Sequence, residues 1–162
     1  MLERRHAVLV RRFGYREASG GSGARRGGNG LVRLLEFLAP RTTVSVLSER
    51  RCMPPRGICG GGNALCGENY ALIVKQRGGG GSGSGAHALM DFVDESVRVL
   101  DGAARDADAQ TVHYDAKKYR KVYLGGKNTC ELRAGDCILI KTPGGGAYGS
   151  AARNGDAALA RD

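Results

Sequence analysis

Short apolar runs, each followed by a turn-forming stretch, recur along most of the chain. Thr42–Leu47 reads TTVSVL and alternates valine with small polar residues, the pattern of a strand buried on one face. Tyr70–Lys75 reads YALIVK, a continuous apolar run that is typical of a fully buried strand. Five further runs are predicted as strands: His6–Arg12, Val32–Leu38, Lys121–Leu124, Thr129–Arg133 and Cys137–Lys141. The pattern predicts a mainly β fold of short antiparallel strands.

Glycine marks the connections between these runs. It is concentrated in four clusters: Ser19–Gly30, Gly57–Gly67, Gly78–Gly85 and Gly144–Gly149. Gly78–Gly85 reads GGGGSGSG and has the composition of a flexible linker. In the other three, we expect Gly-rich turns that require positive φ angles or close backbone approach. Gly125–Gly126 and Ala134–Asp136 lie between closely spaced strands and are predicted as hairpin-type turns.

Residues 78–118 interrupt the β pattern. A short helix over about 87–100 is predicted from apolar residues at helical spacing, which are Leu89, Phe92, Val93, Val97 and Leu100. Val97 and Val99 also alternate, so a strand near the end of this stretch stays an alternative.

The chain is therefore expected to form one β-rich domain in two parts. The parts are residues 1–77 and 119–150. They are separated by a partly helical or disordered insertion at 78–118 and followed by a flexible tail at 151–162.

Composition excludes several classes of protein. The 162 residues include 27 glycines but only 4 prolines, and the glycines show no strict three-residue period, so collagen is excluded. The longest apolar stretches, such as Leu34–Ala39, are far shorter than the ~20 residues of a membrane span, so no membrane association is expected. The N-terminal apolar run is too short for a secretory signal, which favours a cytoplasmic location.

The positive charge is unevenly distributed. Residues 1–77 hold 14 of the 25 Lys and Arg but 5 of the 16 Asp and Glu, so the whole +9 excess lies in that part. A basic region of this size can bind phosphates, nucleic acid or an acidic partner subunit. A solvated surface or a salt-bridge network explains it equally well.

Common nucleotide and catalytic motifs are missing. There is no GxxxxGK[ST] phosphate loop, and Asn128 follows Gly125-Gly126-Lys127 where such a loop needs a hydroxyl. Gly144, Gly146 and Gly149 match GxGxxG, but only 13 residues follow, too few for a dinucleotide-binding unit. No GxSxG elbow or HExxH pair occurs.

The cysteines and acidic residues give weak signals. Six residues separate Cys52 from Cys59 and Cys59 from Cys66, unlike the spacing of zinc knuckles, so we expect reduced structural cysteines and no metal site. Glu49, beside Arg50–Arg51, and Glu68, beside Asn69, are candidate active-site groups, although paired surface charges explain them too.

Two Arg-Gly-Gly triplets, Arg26–Gly28 and Arg77–Gly79, raise the alternative of RNA binding. Few aromatic residues lie near them, and nucleic acid is therefore the second hypothesis rather than the first.

Three stretches together resemble one family. They are LERRHAVLVRRFGYREASGGSGARRGGNGLVRLLEFL, VSVLSERRCMPPRGICGGGNALCGENYALIV and LGGKNTCELRAGDCILIKTPGGGAYG. In order and spacing they are similar to blocks of the C-terminal region of hydantoinase B/5-oxoprolinase proteins, including the "LSERR", "GGK" and "TPGGGGYG" signatures. The resemblance covers residues 1–75 and 122–149.

The resemblance implies an ATP-dependent cyclic-amide hydrolase that opens 5-oxo-L-proline to L-glutamate, or a related hydantoin. The nucleotide-handling half of such enzymes is a hydantoinase A-like subunit or the N-terminal half of a fused chain. That half is the expected partner, and the complete enzyme is expected to be a homo-oligomer. ATP and a divalent metal belong to the complete enzyme. This chain is expected to bind no cofactor and to be inactive alone.

The chain departs from the family pattern at several positions. Ala134 replaces the proline before Gly-Asp, Ala147 replaces a glycine of the closing block, and residues 76–121 are an insertion. Several hundred residues of the family pattern are also missing, so a truncated product or one piece of a larger enzyme is expected.

Five residues beside the glycine turns are the candidates for substrate or phosphate contact: Arg25, Arg26, Arg50, Arg51 and Thr142. Turn N–H groups can form anion-binding nests, and arginine can hold a carboxylate or phosphate with two hydrogen bonds. A second interpretation is that these turns only shape the β fold, which would make the chain a non-catalytic structural remnant. No catalytic residue is assigned.

Overall fold

The computed structural model describes residues 2–75 and 114–150, which form seven strands and no helix. The strands are β1 (Val8–Arg16), β2 (Gly30–Phe37), β3 (Thr42–Leu47), β4 (Glu68–Val74), β5 (Tyr119–Tyr123), β6 (Lys127–Leu132) and β7 (Cys137–Lys141). The prediction of a mainly β, antiparallel fold is confirmed. Strands β3 and β7 have the predicted bounds, and the other five begin or end a few residues away. The helix expected over 87–100 and the tail at 151–162 lie outside the described residues.

The strands form two sheets. The larger sheet has five strands in the order β1-β2-β7-β4-β5, and the smaller pairs β3 with β6. All pairs are antiparallel. Strand β7 lies at the centre of the larger sheet, where its apolar sequence CILIK is buried at four of five positions. No helix among the described residues is long and apolar enough to span a membrane.

The two predicted hairpins do not form. Gly125–Gly126 connects β5 of the larger sheet to β6 of the smaller one, and Ala134–Asp136 leads back from β6 to β7. Both connections are tight, with φ of 67° at Gly125 and 87° at Gly135. The hairpin prediction is wrong because β7 is buried on both faces and takes the central position between β2 and β4, whereas β6 pairs with the half-buried β3.

The main core lies between the two sheets. Ala71, Val122 and Ile138 of the larger sheet are at most 2% exposed and belong to the same apolar cluster as Cys130 and Leu132 of β6. Val44 and Val46 of β3 pack against this cluster, which explains the alternation in TTVSVL. The smaller sheet therefore covers one face of the larger one.

The opposite face of the larger sheet is also buried. Strand register aligns Leu34, Leu139, Tyr70 and Tyr123 in one row across it. Val32, Lys141 and Glu68 form the neighbouring row. Because residues paired directly across strands point to the same face, the register places an ion pair beside an apolar and aromatic row.

Candidate functional site

Three glycine-rich segments meet at one end of the larger sheet. We call residues 19–29, 56–67 and 143–149 the glycine layer. Gly21 N donates to Gly145 O at 2.9 Å, Gly62 N to Ser22 O at 2.7 Å, and Ala147 N to Gly62 O at 3.0 Å. Each segment is thus bonded to both others through backbone groups, without belonging to either sheet.

Close packing, more than backbone conformation, explains the glycines of this layer. A Cβ on Gly27 would overlap the carbonyl group of Gly145, and a Cβ on Gly21 would overlap that of Gly62. Positive φ angles occur in the layer at three residues, which are Cys59, Gly60 and Gly149. The expectation of close backbone approach is therefore confirmed at Gly21 and Gly27.

The backbone donors of the layer are largely occupied. Gly144 N donates to Leu65 O, Gly145 N to Gly28 O and Gly149 N to Ile58 O. An anion-binding nest requires successive N–H groups directed at the ligand. The closing turn does not offer such a series, so the phosphates of a nucleotide do not fit it.

Arg25 and Arg26 lie at the outer side of the layer. The backbone of Arg25 exchanges two hydrogen bonds of 2.9 Å with Tyr148, and its side chain is exposed. Arg26 donates from NH2 to Asn29 Oδ1 at 3.0 Å and is also exposed. Both are surface residues of a turn that is fixed by its backbone.

Thr142 connects three strands through its own polar atoms. Its Oγ1 accepts a hydrogen bond from Leu31 N at 2.7 Å, and its carbonyl oxygen accepts one from Arg16 NH1 at 3.3 Å. Thr142 N also donates to Leu31 O at 2.8 Å. These contacts give Thr142 a structural role at the end of β7.

Arg50 and Arg51 differ sharply, although they are neighbours. Arg50 has a φ of 55°, is exposed, and accepts a hydrogen bond from Gly67 N at its carbonyl oxygen. Arg51 points inward, with its guanidinium carbon 5.3 Å from the centre of the Tyr123 ring. All three guanidinium nitrogens of Arg51 are shielded from solvent and make no hydrogen bond. Of the four predicted contact arginines, Arg51 is the one whose guanidinium is buried.

A charged cluster lies on the buried face beneath the glycine layer. Glu68 Oε1 accepts from Arg16 NH2 at 3.1 Å. The other carboxylate oxygen accepts from the Tyr70 hydroxyl at 3.0 Å and lies 3.5 Å from Lys141 Nζ. The side chains of Arg16 and Lys141 are 4% and 3% exposed. Glu68 is thus a half-buried carboxylate, 30% exposed, between two buried cations, whereas the Glu49 side chain is exposed.

Aromatic rings extend this cluster along the sheet. Tyr70 and Tyr123 are 5.4 Å apart between ring centres, and Lys121 Nζ lies 4.2 Å from the centre of Tyr70. With Arg51 against Tyr123, two cations contact the aromatic pair. Cation–π contacts of this kind stabilise a buried positive charge without neutralising it.

The sequence contains a signal for this cluster that lies outside the known motifs. Lys141 ends the apolar run CILIK, and Lys121 begins the predicted strand Lys121–Leu124. A lysine within a strand that is buried on both faces needs a partner, since buried charges are costly unless paired. Arg16 carried a weaker signal because the predicted strand ended before it.

The five cysteines divide into two groups. Cys52 and Cys59 are exposed and Cys66 is half-buried, so the expected structural role fits only the buried Cys130 and Cys137. Burial, with a contribution from Asp136, raises the pKa of the Cys130 thiol from 9.0 to about 11. Burial also raises the pKa of Cys137. Residues 2–75 and 114–150 contain no group of three or more His, Cys, Asp or Glu that fits a metal ion.

The first Arg-Gly-Gly triplet, Arg26–Gly28, is part of the glycine layer. Gly27 N donates to Gly21 O and Gly145 N to Gly28 O, so the triplet is held by backbone bonds on both sides. RNA-binding Arg-Gly segments fold on contact with their ligand, and this one is already built into the fold. Arg77–Gly79 lies outside the described residues.

Comparison with known proteins gives a match along almost the whole chain. The family model described as Hydantoinase B/oxoprolinase matches residues 1–151. The protein named 5-oxoprolinase 1 of Arabidopsis thaliana is 40% identical over 150 residues, which is 93% of this chain and 8% of that protein. The 5-oxoprolinase of Saccharomyces cerevisiae is 36% identical over 149 residues, 92% of this chain and 8% of that protein.

The match also reaches archaea. An uncharacterised protein of Methanocaldococcus jannaschii is 27% identical over 150 residues, 93% of this chain and 19% of that protein. The chain thus spans less than a fifth of the length of each of these three relatives.

Proposed function

The chain belongs to the hydantoinase B/oxoprolinase family, and on that premise we propose that it is a segment of an ATP-dependent cyclic-amide hydrolase. The substrate we propose is 5-oxo-L-proline, opened to L-glutamate, or a related hydantoin. The observation that carries this proposal is the 31–40% identity to proteins named 5-oxoprolinase along more than nine-tenths of the chain.

The proposed reaction breaks the lactam C–N bond. Two water molecules are consumed: one supplies the oxygen that the carbonyl carbon gains and the proton that goes to the ring nitrogen, and the second is used in the conversion of ATP to ADP and phosphate. Most N–H groups of the closing turn are engaged, and residues 2–75 and 114–150 contain no group of three or more His, Cys, Asp or Glu that fits a metal ion, which supports a nucleotide site and a metal site elsewhere in the enzyme. We therefore assign both to other parts of the enzyme and derive no step of the reaction through them.

The contribution of this chain to such an enzyme is a wall with a charged cluster in which Arg16 and Lys141 are buried and Glu68 is half-buried. Arg16, Lys141 and Tyr70 all contact Glu68, so that carboxylate is held in one orientation. The glycine layer anchors the loop that carries Arg50 and Arg51, through the bond from Gly67 N to Arg50 O.

The proposed partner is the nucleotide-handling half of the enzyme, a hydantoinase A-like subunit or the N-terminal half of a fused chain. Exposed apolar side chains support such a partner, with Ile58 62% and Tyr148 50% exposed on the glycine layer. The complete enzyme is proposed to be a homo-oligomer. The exposed free thiols of Cys52 and Cys59 support a reducing compartment, and we propose the cytoplasm.

A transplant experiment tests the proposal. The 149 matched residues of the yeast 5-oxoprolinase would be replaced by this chain, and glutamate and phosphate release from 5-oxo-L-proline and ATP would be measured. We expect activity above that of the enzyme with the region deleted. A chimera that folds and assembles like the parent but is as inactive as the deletion would contradict the proposed function.

The isolated chain provides a second test. Incubated with ATP, magnesium and 5-oxo-L-proline, the purified chain is expected to release no glutamate and no phosphate above the blank. Turnover by the chain alone would show that it carries a complete active site, and would overturn its assignment as an inactive segment. Inactivity of both the isolated chain and the chimera would favour the structural-remnant hypothesis.

A further inference from the structure

Arg51 carries a charge that the fold leaves unbalanced. Its Nε, NH1 and NH2 atoms are all buried and make no hydrogen bond. Buried polar groups in native proteins are nearly always hydrogen-bonded, and a buried charge without a partner is among the most destabilising arrangements known. An exception of this kind in an otherwise well-paired region singles out Arg51 as a candidate ligand-binding group.

Nearby acidic groups do not supply the missing partner. Both carboxylate oxygens of Glu68 are already engaged, one by Arg16 and the other by Tyr70 and Lys141. Glu49, two positions before Arg51, is exposed and forms no ion pair with it. The ring of Tyr123 holds the guanidinium in place but accepts no hydrogen bond from it.

We infer that Arg51 is the residue with which this chain binds the carboxylate of a small-molecule ligand. The planar guanidinium matches a carboxylate through two parallel N–H···O bonds, and stacking on Tyr123 presets the orientation of its donors. The inference rests on the proposed function in one respect: the ligand is a cyclic amide acid of the 5-oxo-L-proline type.

Binding requires the loop that carries Arg51 to move. Ser48 N and Ser48 Oγ both donate to Gly126 O, at 2.7 and 3.3 Å, and these bonds hold the start of the loop. Cys52 and Met53, directly after Arg51, are exposed. Arg50 is held by the bond from Gly67 N, so a displacement of residues 51–53 would be the one that brings the guanidinium to the surface, and ligand binding is expected to be coupled to it.

A residue of this kind has an unusual mutational signature. An arginine that stabilises the fold through an ion pair lowers stability when it is removed. Removal of an unpaired buried arginine instead raises stability while it abolishes binding, the trade-off expected of a functional group. Arg51→Met keeps the apolar stem against Tyr123 and removes the charge, so we expect its melting temperature to exceed that of the wild type by about 2–4 °C.

The test is a thermal-shift titration of the full chain with four ligands. Sodium 5-oxo-L-proline is compared with 2-pyrrolidinone, which is the same lactam without the carboxylate, and with acetate and inorganic phosphate. We expect 5-oxo-L-proline and, more weakly, acetate to raise the melting temperature of the wild type, and 2-pyrrolidinone to leave it unchanged. Arg51→Met abolishes these shifts, and Arg51→Lys weakens the affinity at least about tenfold because it loses the paired donors.

Arg56→Gln is the matched control, since it removes one exposed positive charge from the same connection between β3 and β4. It is expected to retain the full ligand shift. If Arg56→Gln and Arg51→Met lost the ligand-induced rise in melting temperature equally, the ligand would be attracted by the overall positive charge and not by Arg51. That result would overturn the inference.

The remaining outcomes separate the inference from the proposed function. If acetate raised the melting temperature of the wild type but not of Arg51→Met, while 5-oxo-L-proline raised neither, the result would support a carboxylate site at Arg51 but contradict the cyclic-amide substrate. Equal shifts by 2-pyrrolidinone and 5-oxo-L-proline would overturn the carboxylate role while leaving the proposed function intact. A larger shift with phosphate would assign the site to a phosphoryl group. No shift with any ligand, or a destabilised Arg51→Met, would overturn the inference.

Discussion

The guanidinium of Arg16 donates a 3.1 Å hydrogen bond to the carboxylate of Glu68, although the two residues are 52 positions apart. The same guanidinium donates through NH1 to the carbonyl oxygens of Cys66 and Thr142. One side chain thus connects the end of β1, the start of β4 and the end of β7. Its role is to fix the glycine layer to the larger sheet.

Replacement of Arg16 by methionine is expected to lower the free energy of unfolding by about 1–3 kcal/mol, because it removes one of the three partners of Glu68 and leaves two part-buried carbonyl groups without this donor. Urea denaturation of the purified variant measures the change. Arg11→Met is the matched control, since Arg11 pairs with Glu36 at the surface and its own side chain is 52% exposed. The control should change stability far less. If Arg16→Met and Arg11→Met lowered the free energy of unfolding by similar amounts, the anchoring role of Arg16 would be contradicted.

Two adjacent glycines give the sharpest test of the glycine layer. Gly27→Ala places a methyl group on the carbonyl of Gly145, whereas the same change at Gly28 meets no atom within 4 Å. We expect Gly27→Ala to cost several kcal/mol, on the order of other severe packing errors, and Gly28→Ala to be nearly neutral. Thermal unfolding of the two variants decides the point. An equally mild effect at both positions would mean that the layer is not closely packed in solution.

Asp136 is expected to be important for stability through its two carboxylate oxygens. Oδ1 accepts from Val74 N at 3.0 Å and Oδ2 from Arg133 N at 2.8 Å, in a residue that is 2% exposed. Asp136→Asn leaves one of these N–H groups without an acceptor and should lower the free energy of unfolding by about 1–3 kcal/mol. The exposed Asp115, which accepts from Lys117 N, provides the control Asp115→Asn. Equal stability of Asp136→Asn and wild type would contradict the prediction.

Stability is expected to fall at alkaline pH through Cys130. Its pKa is raised by burial from 9.0 to about 11, so the folded state holds the thiol proton more tightly than the unfolded state. The resulting stabilisation is complete below pH 9 and is lost as the pH rises towards 11. The free energy of unfolding, measured at equilibrium between pH 8 and pH 11, should therefore decline less in Cys130→Ala than in the wild type. The exposed Cys52→Ala is the control, and it should follow the wild-type curve.

Local sequence pattern was sufficient for the strands but not for their pairing. Thr42–Leu47 and Cys137–Lys141 were predicted residue for residue, because alternation and a continuous apolar run depend on burial alone. The connections after β5 and β6 were mistaken for hairpins, since a short glycine turn indicates a reversal but not which sheet the next strand joins. That choice is made by the core, where Cys130 and Leu132 face the larger sheet.

The candidate site was predicted in part. Arg51 was among the five residues chosen from the sequence, but nothing in the pattern distinguished it from Arg50, whose side chain lies at the surface. Thr142 proved to be a strand connector, through Leu31 and Arg16. Lys121 and Lys141 were not selected, because the role of a cation inside a strand depends on partners that are distant in sequence.

The central position of β7 has a consequence for the order of assembly. Strands β1 and β2 form one antiparallel unit and β4 and β5 another, yet the larger sheet joins these units only through β7, the last of the seven strands to be synthesised. A nascent chain therefore exposes two open sheet edges until residues 137–141 have left the ribosome, and contacts between distant segments of this kind form slowly. A chain stopped just before Cys137 would present both edges permanently, so we expect it to aggregate rather than to persist as a smaller folded domain.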